Sequence, residues 1–218
     1  MAATRPYRST LRQEHAEQTR RRILAAAAAV FSSRGYASAS LADIATSAGV
    51  SVESVKVHGP KRALLLAAFE LTFGGESSLA ERPEVAAIAA LDDADRMLAE
   101  LIPFIAAANA RTAGLWSTFT AAARDDDTVA AVLAELLERR HADYGLMVGL
   151  LAERGIAEVA ALDDTGRREL ADALSFVMSP EGYQQLVGES GWSFEHYTRW
   201  LSGTVRLLVT AERAASTG

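Results

Sequence analysis

The sequence contains no cysteine and only five prolines in 218 residues. Without cysteine there can be no disulfide, no thiolate metal site and no cysteine nucleophile, and a reducing compartment is favoured. The apolar runs, such as Ala25–Phe31, are far shorter than the roughly 20 residues that a membrane-spanning helix needs. The first 22 residues hold no hydrophobic segment, so no secretory signal is predicted. We therefore expect a cytoplasmic protein with no membrane partner.

Lysine is scarce: the sequence has 20 arginines but only two lysines, Lys56 and Lys61. Residues 1–63 carry ten Lys/Arg and four Asp/Glu, a net charge of +6, whereas residues 64–218 carry twelve and twenty-four, a net charge of −12. A basic end on an acidic body is typical of a protein whose basic end meets a polyanion. An unevenly charged, solvated surface would give the same distribution, so the motifs have to decide between the two.

Alanine and apolar residues at helical spacing are abundant, and no strand-like alternation persists, so the sequence predicts an all-α fold. Residues 1–13 contain Arg5, Arg8 and Arg12 without periodicity and predict a mobile basic arm. A first helix is expected from about Glu14 to Gly35. Its apolar stripe consists of Ile23, Leu24, Ala27, Val30 and Phe31. Further helices are predicted near 61–73, 92–109, 111–124, 126–154, 166–178 and 193–213.

The stretch SLADIATSAGVSVESV, residues 40–55, predicts a helix–turn–helix. Ser40 is placed as an N-cap with Asp43 in the capping-box position. Gly49 can adopt the positive φ that the turn requires, and a second helix would start at Ser51. An ordinary hairpin of two helices would show the same pattern. Together with the basic N-terminal end, however, we favour DNA binding through the second helix in the major groove.

Three segments together resemble the TetR (tetracycline-repressor-like) family of bacterial transcriptional regulators: RRRILAAAAAVFSSRGY, SLADIATSAGVSVESV and PKRALL. The segment SPEGYQQLVGESGWSFEHYTRWLSGTVRLL is also similar to the closing segment of many actinobacterial members. The resemblance implies a DNA-binding domain at residues 1–60 and a ligand-binding and dimerisation domain at residues 61–218. It also implies a homodimeric repressor that a small-molecule effector releases from a palindromic operator in double-stranded DNA.

The resemblance can be carried over residue by residue. The predicted DNA-binding residues are Ser40, Ser51, Val52, Glu53, Ser54, Lys56, His58 and Lys61. Ser40 and Lys61 match the family's phosphate contacts, and Lys56 stands where the family commonly has a phosphate-binding tyrosine. The segment VHGPK lacks the aromatic residue that many members place before the lysine. His58 is interpreted either as a DNA contact or as a packing residue. Glu53 is interpreted as favouring the helix N-terminus, or as an acceptor from a cytosine amino group.

The predicted effector is a mostly apolar, neutral or cationic small molecule, because few Lys/Arg lie among the apolar stripes of the body. The candidate pocket residues are Phe69, Phe73, Met97, Leu101, Phe104, Trp116, Phe119, Tyr144, Met147 and Phe176. The same set would also describe an ordinary core.

The dimer interface is predicted in two helices within residues 166–213. Its candidate residues are Leu170, Leu174, Val177, Trp192, Trp200, Leu201, Val205 and Leu208. Stripes of this kind are equally compatible with the core of a single chain.

No enzyme, metal site or cofactor is predicted. Glu138 and His141 have the spacing of a di-iron ligand pair, but no second Glu-x-x-His follows. The acidic run Asp125–Asp127 is better interpreted as a helix cap than as a cation site. Two alternatives to an effector-controlled regulator remain: a ligand-independent DNA-binding protein, and a helical interaction protein that has lost DNA binding.

Overall fold

The computed structural model describes the backbone of residues 6–73 and 81–211, and side chains from residue 14 onward in these ranges. They contain helices and no strand, which confirms the all-α prediction. The helices are α1 (Pro6–Ser38), α2 (Leu41–Ala48), α3 (Val52–Lys56), α4 (Lys61–Phe73), α5 (Pro83–Ala89), α6 (Ala94–Ala122), α7 (Asp127–Glu153), α8 (Ala157–Ala160), α9 (Asp164–Val177), α10 (Pro180–Tyr183) and α11 (Phe194–Thr210), with a π-helical segment at Gln184–Glu189.

Helix α1 begins earlier than the sequence predicts, since residues 6–13 are helical rather than part of an irregular arm. Proline suits the start of a helix because its missing N–H has no intrahelical partner there. Arg5 and the side chains of Arg8 and Arg12 lie outside the described residues. The predicted stop at Gly35 is present as a kink (φ 73°, ψ 168°), after which a short last turn continues to Ser38.

The chain forms two compact units, of which the first consists of residues 1–75 and 114–130. The predicted apolar stripe of α1 lies in its core, where Ile23 and Phe31 are fully buried. An aromatic cluster occupies another part of this unit, with the ring of Phe69 stacked on Phe73 at 4.1 Å and on Phe119 at 4.0 Å between centroids. These rings contribute a large part of the apolar burial of the unit.

The end of α6 approaches α1 very closely in the first unit. Gly114 makes this approach possible, because a Cβ added there would lie only 3.0 Å from the Cβ of Ser32. One turn further on, the hydroxyl of Thr118 donates to the carbonyl oxygen of Phe31 at 2.8 Å. A small residue and a buried hydrogen bond therefore fix α6 against α1.

The second unit consists of residues 76–113 and 131–218, and one apolar core holds its helices together. Asn109 is buried in this core, and its Nδ2 donates to the carbonyls of Met178 (2.9 Å) and Ser179 (3.2 Å) and to the hydroxyl of Tyr197 (3.2 Å). Both carbonyls lie where α9 gives way to α10. The Ser179 carbonyl also accepts from the backbone N–H of Tyr183 (3.3 Å), so the Met178 carbonyl is the acceptor that depends most on Asn109.

The C-terminal end of helix α5 is bound by the side chain of Arg154, the residue that follows α7. The guanidinium of Arg154 donates to the carbonyls of Ala89 and Leu91, and also to Leu150 in its own helix. The last carbonyls of a helix lack intrahelical donors, and a guanidinium provides several in a fixed geometry. Arg154 therefore caps α5.

Several predicted boundaries differ from the structure. The predicted break near residue 110 is absent, since α6 is continuous from Ala94 to Ala122. Helices α5, α8 and α10 and the π-helical segment were not predicted. The compact units also do not follow the predicted boundary after residue 60, because α4 and residues 114–130 belong to the first unit. That boundary concerns DNA-binding and effector functions, and it stays a prediction.

Candidate DNA-binding site and ligand cavity

The capping box predicted at the start of α2 is present. The backbone N–H of Asp43 donates to the Ser40 hydroxyl oxygen (3.1 Å), and the backbone N–H of Ser40 donates to the Asp43 carboxylate (3.0 Å). The Ser40 hydroxyl also donates to this carboxylate, and Arg34 pairs with it. The hydrogen bonds from Ser40 are the main reason why the pKa of Asp43 lies below its usual value. Ser40 is therefore held firmly at the N-terminus of α2.

The turn between α2 and α3 has the predicted glycine geometry. Gly49 is left-handed (φ 63°, ψ 41°), and its N–H and that of Val50 bond back to α2, with Val50 N to Ala45 O at 3.0 Å. This is the C-terminal cap that glycine favours. Ala45 on α2 and Val55 on α3 are both buried, so the two helices share an apolar core. The helix–turn–helix is thereby formed as the sequence predicts.

Helix α3 is short and is capped by a serine. Ser51 is its N-cap, and its hydroxyl oxygen accepts from the backbone N–H of Ser54 at 3.1 Å. Of the predicted groove residues, Ser51 and Glu53 are exposed, whereas Val52 and Ser54 are half-buried. Glu53 lies in the first turn, where a carboxylate is favoured by the helix dipole. The structure is therefore compatible with the predicted role of Glu53 in stabilising the N-terminus of α3.

One exposed residue of this region was missed. Val57 caps the end of α3 and is 83% exposed, the largest exposure of any large hydrophobic side chain in the described residues. Val55 is buried, and two positions along a helix correspond to a rotation of about 200°. The helical period could thus have placed Val57 on the outer face beside the exposed Lys56.

The two lysines have different environments. Lys56 is exposed on the last turn of α3. Lys61 is half-buried, and its ammonium donates to the carbonyls of Ala37 (3.2 Å) and Ala39 (3.0 Å) and lies 4.6 Å from the centroid of the Tyr36 ring. Two of the three N–H donors of Lys61 are thus already used within the protein. The half-buried His58 lies between the two lysines along the chain.

A cavity of about 50 Å³ lies within the second unit. Its lining residues are Val85, Ile88, Ala89, Met97, Leu101, Ile105, Asp143, Tyr144, Leu146, Met147, Leu150 and Met178. Asp143 and Tyr144 are the polar members, and the described lining includes no Lys or Arg. Burial raises the pKa of the Tyr144 phenol strongly, so this group stays neutral. Among the described residues, no hydrogen bond to the Tyr144 hydroxyl is found, so the hydroxyl is available to a ligand.

The ten predicted pocket residues do not form one site. Met97, Leu101, Tyr144 and Met147 line the cavity. The rings of Phe69, Phe73, Trp116 and Phe119 instead form the aromatic cluster of the first unit. Phe104 packs against the core of the second unit. Phe176 is 74% exposed and is no pocket wall, because helical spacing alone does not show which side of a helix is covered. The contribution of α5 was missed because this helix was not predicted.

The residues predicted for the dimer interface lie mostly in or against the core of the chain itself. Leu170, Leu174, Leu201 and Val205 are at most 1% exposed in the core of the chain itself, so they have no surface to offer to a partner. Val177, Trp200 and Leu208 pack partly against the same core. Trp192 stacks on His196 at 4.1 Å between centroids. The large exposed apolar side chains of α9 and α11 are instead Phe176, Phe194 and Leu207.

None of the described helices could span a membrane. In the same part of the chain, no group of three or more acidic or histidine side chains is arranged to hold a metal ion.

A capped helix–turn–helix packed on a basic first helix, in a chain that also contains a helical unit with an apolar cavity, is typical of DNA-binding transcriptional regulators. Residues 23–68 match the family model described as "Bacterial regulatory proteins, tetR family". The chain is therefore similar to the TetR family over these residues, which include the helix–turn–helix.

Two solved structures share the fold. A protein from Saccharomonospora viridis assigned as a transcriptional regulator, in complex with choline, has a TM-score of 0.66 and 21% identity over 87% of this chain and 96% of its own. A protein of the same assignment from Pseudomonas aeruginosa PAO1 has a TM-score of 0.64 and 22% identity over 89% and 92% of the two chains. No curated protein is significantly similar in sequence.

Proposed function

We propose that this chain acts as a homodimeric repressor that leaves a palindromic operator when a small molecule occupies the cavity of the second unit. The observation that carries the proposal is the combination of a formed helix–turn–helix with an apolar cavity that contains the phenol of Tyr144, to which no hydrogen bond is found among the described residues. In such a dimer two recognition helices lie about 34–36 Å apart and enter successive major grooves. As a regulator of chromosomal genes, it would work in the cytoplasm.

The proposed DNA contacts lie on and beside α3. They are Ser40, Ser51, Val52, Glu53, Ser54, Lys56 and His58, to which we add the exposed Val57. Lys56 would contact phosphate as a point charge, and Val57 offers a methyl group suited to thymine. Lys61 is not among them, because two of its three donors are used within the protein.

The proposed effector is small, apolar and either neutral or cationic. Tyr144 can donate a hydrogen bond to a carbonyl or ether oxygen, and Asp143 is the acidic group of the lining. An anionic ligand would find no cationic partner among the described lining residues. The choline bound by the Saccharomonospora protein supports the cationic alternative. Met97, Met147 and Met178 can adjust a cavity of about 50 Å³ to a somewhat larger molecule.

The proposed dimer uses the outer faces of α9 and α11, which contact each other within the chain. Phe176 and Leu207 are 74% and 72% exposed on these helices, and removing such apolar side chains from water would favour association. Only this face of the two helices remains available, since the opposite face forms the core.

Two experiments test the proposal. A gel shift with the DNA upstream of the chain's own gene, competed with random duplex, should give a specific complex; a lack of any complex would support the interaction-protein alternative. A thermal-shift screen should then compare neutral, cationic and carboxylate compounds, and each hit should be tested for release of the DNA. Hits that stabilise the chain without releasing DNA would favour a ligand-independent regulator, and hits from carboxylates alone would refute the ligand class.

A further inference from the structure

Lys61 stands at an unfavourable place in its own helix. It is the first residue of α4, where the helix dipole is positive and a cation is disfavoured. Its ammonium turns away from this end and donates to the carbonyls of Ala37 and Ala39. These carbonyls follow the kink at Gly35, at the point where α1 ends. The ammonium therefore caps the end of α1, where a cation is favoured.

These contacts all fall on the connector, which we define as residues 36–40: the last turn of α1 after the kink and the two residues that precede α2. Besides the two carbonyls, the face of the Tyr36 ring lies 4.6 Å from the Lys61 ammonium, a distance at which cation and ring attract. The connector ends at Ser40, the N-cap of α2, which bonds to Asp43, and Asp43 in turn pairs with Arg34. Lys61 thus joins the start of α4 to the segment from which the helix–turn–helix begins.

We propose that Lys61 is a positioning residue: it fixes the connector to α4 and so sets the orientation of α2 and α3 for operator recognition, instead of contacting a DNA phosphate. The proposal rests on the proposed function. Lys56 provides the contrast, since it is exposed on α3 and no described residue is found bonded to its ammonium. One lysine orients the reading helices, and the other contacts the DNA.

The chain's only two lysines make a matched pair for mutagenesis. Lys61→Met and Lys56→Met each remove one charge and keep a long, flexible side chain. Affinity should be measured against salt concentration on random duplex and on an operator selected from a random duplex library with the unmodified protein. Lys56→Met should reduce the salt slope by about one on both DNAs. Lys61→Met should keep the slope, but lower the preference for operator over random duplex about tenfold or more, the discrimination that one base pair supplies.

Two results would overturn the assignment. If Lys61→Met reduces the salt slope by about one and leaves the operator preference intact, Lys61 contacts phosphate. If it only lowers the melting temperature, with both affinities and the slope unchanged, Lys61 stabilises the fold without positioning the reading helices.

Lysine acetylation provides a measurement that does not need the operator. After brief acetylation, peptide mass spectrometry should show that Lys56 is modified rapidly in the free protein and more slowly when random duplex DNA is bound. It should show slow modification of Lys61 with or without DNA, because its ammonium is hydrogen-bonded. Fast modification of Lys61 in the free protein would refute the positioning role of Lys61 and leave the proposed function unaffected. If the unmodified chain binds no DNA, the proposed function and this role fail together.

Discussion

Replacing Gly114 by alanine has two opposite effects on the free energy of unfolding: it improves helix propensity and it introduces a close contact with Ser32. Gly114 lies inside α6, where alanine is preferred over glycine by about 1 kcal/mol because glycine loses more backbone freedom on folding. The added Cβ, however, would lie 3.0 Å from Ser32 Cβ and 3.3 Å from the Ser32 carbonyl oxygen, closer than the about 3.5–4.0 Å that carbon contacts favour.

Both neighbouring atoms of Ser32 are fixed by the backbone of α1, so they cannot move aside as a side-chain tip would. Overpacking of this kind typically costs about 1–3 kcal/mol. After subtraction of the propensity gain, we expect Gly114→Ala to lower the free energy of unfolding by about 0–2 kcal/mol.

The matched control is Gly145→Ala in α7, where nothing lies within 4 Å of the added Cβ. This change should raise the free energy of unfolding by up to about 1 kcal/mol. Urea unfolding followed by circular dichroism measures both variants. If Gly114→Ala stabilises the chain as much as Gly145→Ala does, the close approach of α6 to α1 is not a constraint and the reasoning is refuted.

Four further outcomes are expected. Asn109→Ala should lower the free energy of unfolding by at least about 1–3 kcal/mol, the cost of one buried carbonyl left unpaired, as measured by urea unfolding. Tyr144→Phe should leave the melting temperature of the free protein nearly unchanged. It should reduce the rise in melting temperature caused by a bound compound that carries a carbonyl group, but not the rise caused by the hydrocarbon analogue of that compound. The pKa of Asp43 is lowered in the folded state, so the ionised carboxylate stabilises the fold fully above the ordinary pKa of 3.8. This stabilisation is lost as the pH falls through the lowered pKa. In Asp43→Asn, the free energy of unfolding should therefore depend less on pH in this acidic range. Phe176→Glu combined with Leu207→Glu should give a folded monomer by light scattering; a dimer that persists would exclude this face as the interface.

The helix–turn–helix could be predicted almost completely because its information is local. A serine cap with an aspartate three residues later and a glycine at the turn each act on neighbouring backbone groups, and the structure has both features. The role of Lys61 could not be predicted in this way. Its partners Ala37 and Ala39 lie more than twenty positions earlier in the chain, and backbone carbonyls carry no sequence signal.

The cavity and the interface were predicted less well, for a different reason. Apolar residues at helical spacing show that one face of a helix is buried. They do not show whether that face packs against the same chain or against a partner. Leu201 and Phe176 lie in stripes of similar composition, yet one is fully buried and the other is 74% exposed. The predicted gap near residue 110 is also absent, which agrees with the lack of any glycine or proline at that point of α6.

The shortness of α3 limits how much sequence the protein can read. Five residues rise about 7.5 Å along the helix axis, which spans only two to three base-pair steps of about 3.4 Å. A dimer would then specify about six base pairs directly, a combination that occurs by chance about once in 4,000 positions among the millions in a genome. Part of the discrimination would then come from spacing and from the bendability of base pairs that no side chain touches. Changes at such uncontacted positions, or one inserted base pair between the half-sites, should weaken specific DNA binding as a change at a contacted base does.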